Sequence, residues 1–371
     1  MLILLALAVL PAIDSLIRLV LLVVSRGRRR DDGGPAGEDA GVPRPFRWLV
    51  VVPSRDEGEA VRKTLESVRD VPALLLLDGE DVAAQRVAEE LGAAVVVKEP
   101  RGPTKAAALA WLAETQRDRL LATDAVLLLD VGSTVGERFF ENLHWPADCD
   151  AVQARLSGVG SGVGVAVAAS EAHAQLDEDR GRQSLGWSVR LRGTGSAFRP
   201  ATFIEISPRL RTRVEDLEAT LLMIARGQRV ALGGPEAVVI DEKPLTVYSA
   251  ASQRARWLLG RYEVLFKRAG ELGRAFVRRP AETTALFFEI FGRPLSVMIP
   301  FRVIVAAVGI LSGRFVIIAS AILATAVVDV VTILASGRTT ASAAMRLMMA
   351  WGLAVLMAPR ALFRWMRAKR P

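Results

Sequence analysis

A single cysteine, Cys149, in 371 residues excludes an intramolecular disulfide framework and fits a reducing compartment. Histidine is almost as scarce. His144 and His173 have no cysteine at ligand spacing, so a zinc site is not expected. The chain also lacks zinc-finger spacing and an aromatic-rich RNA-binding signature, so nucleic acid is not an expected partner despite a formal net charge of +8. What is abundant is apolar: 51% of the residues are hydrophobic. The positive charge collects beside apolar runs. Arg26, Arg28, Arg29 and Arg30 follow the first run, and Arg360, Arg364, Arg367, Lys369 and Arg370 close the chain. That distribution points to orientation in a membrane.

Met1–Val24 is almost wholly apolar and long enough to span a bilayer as a helix. Its arginines come after the apolar core rather than before it, which reads as a retained anchor instead of a cleaved signal. Asp14 and Arg18, four apart, are spaced to pair on one helix face. Asp31–Pro45 is polar and Gly/Pro-rich, a linker. The pattern then alternates. Apolar runs at Trp48–Val52, Ala73–Leu77, Ala94–Val97 and Ala125–Leu129 are separated by helix-like Glu57–Val68, Val82–Leu91 and a helix starting at Lys105. Such alternation predicts an α/β fold with a mostly parallel sheet covered on both faces. Ligands in such sheets sit beyond the carboxyl ends of the strands. Polar residues follow each run there: Pro53 to Glu57, Asp78, Lys98 and Asp130.

The stretch Thr212–Trp257 carries the chemistry. Glu215 and Asp216 open an amphipathic helix whose Leu217, Leu221 and Ile224 recur at helical spacing, with Gly227 as its stop. A carboxylate there is suited to take a proton from a hydroxyl. Thr212-x-x-Glu215 is equally a capping box that only closes the helix. Gln253-Arg254-Ala255-Arg256-Trp257 offers two guanidiniums and an indole, suited to hold phosphate oxygens or to rest as a basic helix at a membrane surface. The Gly-rich run Ser157–Gly164 lies far from the first strand–helix turn, so it reads as a flexible connection, not a dinucleotide loop.

Seven segments in order over about 45–260 resemble a membrane-bound family 2 glycosyltransferase of the nucleotide-diphospho-sugar A-type fold, in the cellulose-synthase-like and ceramide-glucosyltransferase-like group. They are VVVPSRDEGEAVRKTLESV at 50–68, LLLLDGED at 74–81, GPTKAAALAWL at 102–112, LLLDVGS at 127–133, GRQSLGWSVRLRGTGSAFR at 181–199, VEDLE at 214–218 and QRARW at 253–257. The resemblance implies a transferase that moves a sugar with inversion from a UDP-sugar to a lipid-linked or glycan acceptor. It implies donor contacts from Pro53, Arg55, Glu57, Asp78, Lys105 and Asp130, and a catalytic base at Asp216 beside Glu215. It places Gly193, Thr194 and Gly195 on the acceptor side, and Gln253, Arg254, Arg256 and Trp257 about the acceptor and the departing diphosphate. Asp130 matches the first aspartate of an Asp-x-Asp motif carrying Mg2+ or Mn2+, but Gly132 stands where the second would be. That departure keeps a second reading open: a non-catalytic nucleotide- or glycan-binding relative that supports a partner polysaccharide synthase.

The expected layout is a membrane anchor over 1–25, a basic Gly/Pro-rich linker over 26–45 and a cytoplasmic catalytic domain over 46–265. Interfacial helices follow over 266–294, then spans and a basic tail over 295–371, in a multi-pass protein of a bacterial-type inner membrane. Its partners would include membrane lipids. Three apolar segments follow the catalytic part. Keeping both that part and the basic end in the cytoplasm requires an even number of spans, so the Pro- and Arg-interrupted first segment is expected to lie partly at the interface.

Overall fold

The computed structural model describes residues 2–27, 46–292, 295–313, 315–337 and 340–368. Linker positions 28–45 and the basic residues Lys369 and Arg370 lie outside the described residues. The chain forms two compact units. One comprises Arg30–Ser157 and Trp187–Glu242; the other comprises Met1–Arg29, Gly158–Gly186 and Lys243–Pro371. Residues 158–186 and 243–265, placed with the catalytic part on sequence grounds, therefore group with the helical unit.

The first unit is built on a seven-stranded sheet of order β3-β2-β1-β4-β8-β6-β9. Its strands are β1 (Trp48–Ser54), β2 (Ala73–Asp78), β3 (Ala94–Lys98) and β4 (Ala125–Leu128), then β6 (Ala151–Gln153), β8 (Ser196–Phe198) and β9 (Val230–Leu232). A small sheet of order β5-β10-β7 joins β5 (Thr134–Val135), β7 (Arg155–Val159) and β10 (Val238–Glu242). The pairs β1–β2, β1–β4, β2–β3 and β6–β9 are parallel, while β8 runs antiparallel to both β4 and β6. Successive side chains of a strand face opposite ways, and both faces here are apolar. Leu49, Val51, Leu74 and Leu76 join one core cluster; Trp48, Val50, Val52, Leu75 and Leu77 join the other. The first is covered by the helices Lys105–Thr115, Pro200–Ile206 and Glu215–Arg226, the second by Val61–Glu66 and Val82–Glu90. The fold class read from the alternation is the one observed.

In the second unit, Leu2–Gly27, Val247–Lys267, Ala269–Arg278, Pro280–Phe291, Leu295–Leu311, Val316–Ala335 and Ala341–Ala368 are helical. Within these, Ala8–Gly27 and Val316–Ala335 are long and apolar enough to cross a membrane, and Val297–Leu311 and Ser342–Met357 are shorter apolar stretches. Asp14 and Arg18 do pair, and both are buried. A second buried pair, Arg302 to Asp329 at 2.8 Å, links two of the apolar helices. The Gly-rich run is not a plain loop. Gly158 lies on β7, and Val163 starts the helix Val163–His173, with Gly162 at φ +57° turning the chain between them. Close packing explains Gly181: a Cβ there would collide with the Leu21 carbonyl of the first helix.

Candidate functional site

The carboxyl ends of the parallel strands carry the polar residues of the first unit. After β1, Arg55 pairs with Asp78 at the end of β2 and donates to the Gly102 carbonyl at 2.5 Å. Asp78 is buried and accepts the Gly102 N–H at 2.7 Å, with the Lys98 ammonium 4.0 Å away. Pro53 pairs with Leu76 in the β1–β2 register, and Glu57 is exposed on the loop between β1 and its helix. That loop is pinned by Asp81, which caps the helix Val82–Glu90 at Ala84 N–H (3.0 Å) and accepts the Gly58 N–H at 2.9 Å. Burial raises the Asp81 carboxyl, but backbone N–H groups from Ala84, Gly58, Glu57 and Ala83 outweigh it and hold it below the usual range. Asp81 went unnoticed as a site residue. The signal was an aspartate directly before an apolar-periodic helix.

The second cluster gathers around Lys105, the first residue of its helix, which starts at the Thr104 cap. Lys105 Nζ pairs with Asp130 Oδ1 and stands 3.2 Å from Glu215 Oε1. Burial works against the ammonium, yet Asp130 and Glu215 prevail and hold its pKa above the ordinary lysine value. Burial also pushes the Glu215 carboxyl up, against the pull of Lys105 and with the neighbouring charges of Asp216 and Asp130 adding to the rise. Gly193 completes the cluster, since a Cβ there would lie 3.6 Å from Asp130 Oδ2 and 3.9 Å from Lys105 Nζ.

The Gly193-Thr194-Gly195 loop is held from several sides. Thr194 Oγ1 accepts the Asp130 N–H at 3.1 Å, and the Gly195 N–H reaches the Leu128 carbonyl at 2.8 Å. Gln153, on β6, donates to the Thr194 carbonyl at 3.0 Å and accepts from Arg192 N–H and Ser196 Oγ at 2.8 and 2.9 Å. Both glycines have positive φ, +81° and +67°, which explains why the loop is spelled with glycine. No sequence pattern singled out Gln153.

Asp216 is fixed by its own helix start. Its carboxylate accepts the Leu217 N–H at 2.8 Å, and its carbonyl accepts Thr220 Oγ1, which in turn accepts the Leu191 N–H at 3.0 Å. The capping box is not formed. The N–H groups of Arg211 and Thr212 go to Glu218 at 2.8 and 2.7 Å, leaving Glu215 to Lys105. A narrow recess is lined by Gly193, Glu215 and Asp216 together with Leu109, Leu128, Phe198 and Phe203. One further acid was missed: Asp241 on β10 accepts from Ser133 Oγ at 3.4 Å, beside the turn that follows Asp130. An acidic pair closing the apolar run Val238–Ile240 was its signal.

Gln253, Arg254, Arg256 and Trp257 belong to the helical unit, on the helix Val247–Lys267. Arg256 is exposed, while Arg254 is buried, its guanidinium 5.4 Å from the Trp351 ring and 6.0 Å from that of Trp257. Burial lowers the Arg254 pKa to about 10, with Glu171 opposing the fall.

A mannosyltransferase from Pyrobaculum calidifontis, solved in complex with GDP-Man and Mn2+, overlays this chain with a TM-score of 0.54 at 14% sequence identity, covering 95% of this chain and 98% of its own. The fold is that of an A-type nucleotide-sugar glycosyltransferase. Mannosyl-3-phosphoglycerate synthase from Rubrobacter xylanophilus overlaps less, with a TM-score of 0.41 at 14% identity over 66% of this chain and 78% of its own. Glucosyl-3-phosphoglycerate synthase from Mycobacterium tuberculosis gives 0.37 at 18% identity over 57% and 76%. No family model and no curated sequence matches the chain.

The Mg2+ or Mn2+ expected at Asp130 does not fit the residues present. Beside a diphosphate such an ion is held by one or two carboxylates, but the one carboxylate of the motif, Asp130, is paired with Lys105, and Gly132 brings no side chain. Among the described residues no group of three or more His, Cys, Asp or Glu is placed to hold an ion.

Proposed function

We propose that the protein transfers a sugar from a nucleotide-diphospho-sugar, a UDP-sugar by its motif resemblance, to a hydroxyl of a lipid-linked or glycan acceptor, with inversion at the anomeric carbon. The observation that carries this reading is the convergence of Lys105, Asp130, Gly193, Glu215 and Asp216 in one A-type fold. Asp216 takes the acceptor proton as the hydroxyl oxygen attacks, and the bond from anomeric carbon to diphosphate oxygen breaks. Glu215, engaged by Lys105, orients that ammonium instead of acting as base. The Gly193–Gly195 loop lets a sugar approach the backbone closely. Asp78 and Glu57 accept from the base and ribose of the donor, the roles that the motif resemblance gives them.

The same proposal places the protein in a bacterial-type inner membrane, with its sheet unit in the cytoplasm. The two long apolar helices and the two shorter ones support this. So does the helix Ala269–Arg278, which exposes Phe276 and Val277 next to Arg274 and Arg278, as a helix lying in the headgroup layer does. The test is nucleotide release from a panel of UDP- and GDP-sugars by the full chain in native-lipid nanodiscs, with product lipids read by mass spectrometry. Release and transfer that stop in Asp216→Asn are expected. Absence of transfer from every donor would overturn the reading.

A further inference from the structure

We infer that this chain meets the diphosphate of its donor with the Lys105 ammonium and without a divalent cation, an inference that rests on the transferase reading above. The first ground is the turn after Asp130. Gly132 has φ +89°, and its N–H is given to Thr64 Oγ1 at 2.9 Å. Glycine takes that backbone conformation at little cost, and a Cβ built there meets no atom within 4 Å. The segment is shaped as a turn rather than as an arm that delivers a second carboxylate.

The second ground is that Asp130 Oδ1 already has a cation. Lys105 Nζ holds it and stands 3.2 Å from Glu215, so a divalent ion on Asp130 would have to displace the ammonium or sit against its charge. The third is access. Lys105 keeps a quarter of its side-chain surface exposed, and the missing side chain at Gly193 leaves the approach to both Nζ and Asp130 Oδ2 open. Donor binding then exchanges one oxygen partner of Lys105 for a phosphate oxygen. A lysine is a point charge with three donors, suited to that exchange. In the transfer, the acceptor oxygen bonds to the anomeric carbon, and the carbon–oxygen bond to diphosphate breaks with its electron pair leaving on the nucleotide. The hydroxyl proton goes to Asp216. Lys105 donates a hydrogen bond and keeps its protons.

The experiment is calorimetric titration of the full chain in nanodiscs with UDP and with GDP, once in chelator and once in Mn2+, with paramagnetic resonance of Mn2+ as an independent readout. The expected result is that the nucleotide that binds does so with the same Kd, within twofold, in both buffers, and that the protein–nucleotide complex retains no Mn2+ signal change. Lys105→Met should weaken binding at least tenfold in chelator, with partial recovery in Lys105→Arg. Gly132→Asp, a residue that tolerates positive φ better than most, should acquire tightening by Mn2+. Tenfold tighter binding by wild type in Mn2+, bound Mn2+ in the wild-type complex, or unchanged binding in Lys105→Met would each overturn the inference while leaving the transferase reading standing. Failure of both nucleotides to bind in either buffer would instead remove the transferase reading, and this inference with it.

Discussion

Asp216 and Glu215 are neighbours in sequence that keep different company: Glu215 reaches Lys105 at 3.2 Å, while the Asp216 carboxylate accepts the Leu217 N–H at 2.8 Å. Replacing Asp216 with Asn should lower kcat by about 10²- to 10⁴-fold, the usual reach of a general base, with the Kd for UDP unchanged. Glu215 gives a pH signature. Its folded-state pKa is raised above the ordinary 4.5, so its contribution to stability is full below that value and is lost as pH rises through the folded value. Glu215→Gln, which is neutral at every pH, should therefore match wild type in acid and gain on it as pH rises, as read by thermal melts. Cys149 is the opposite of a reactive thiol: it is buried, and burial pushes its pKa up to about 11. Native protein at pH 8 should react with iodoacetamide more than about 100-fold slower than denatured protein. At this scale Asp130 and Lys105 were legible because each follows a strand or opens a helix. Gln153 was not, because its role is to bind backbone of a loop forty residues later, and no local pattern encodes that.

The helix Glu215–Arg226 shows where element-level reading succeeds and where it slips. Its apolar spacing and its Gly227 stop are as expected, with Gly227 at φ +81°. Its start differs, because Thr212-x-x-Glu215 fits a capping pattern that Glu218 fulfils from one turn later. Glu218 is fully buried and accepts two backbone N–H groups, so Glu218→Ala should cost about 2–3 kcal/mol, measured as a lowered unfolding midpoint. Strands β1 to β4 announced themselves as apolar runs bounded by polar residues. Strands β6 and β8 did not: three residues each is too short for a period to register, and neighbours in the sheet define them. The Gly-rich 157–164 run looked like a loop because glycine is a loop signal. Here it also serves close packing: at Gly158 a Cβ would crowd Ala168 and the Lys243 side chain.

For the whole molecule, the division into a sheet unit and a helical unit cuts across the order of the chain. The apolar helices of the second unit carry buried ion pairs that packing must satisfy. Removing one partner of Arg302–Asp329, as in Arg302→Ala, should destabilise the protein by about 3–5 kcal/mol, whereas the double replacement with Leu should be close to neutral, both read by melts in detergent. The membrane proposal adds a simple expectation: the chain stays with the pellet after alkaline carbonate extraction. In the segment Gly158–Gly186, inserted between two stretches of the sheet unit, residues 174–184 pack on the first helix, while the helix Val163–His173 packs on the helix Ala341–Ala368. On the ribosome that partner is synthesised about 170 residues later, a delay of roughly 10–35 s at ordinary elongation rates. Throughout it, the nascent Val163–His173 helix must wait without its mate. A nascent chain arrested before Ala341 should accordingly be cut by protease within 163–173, where the finished protein resists.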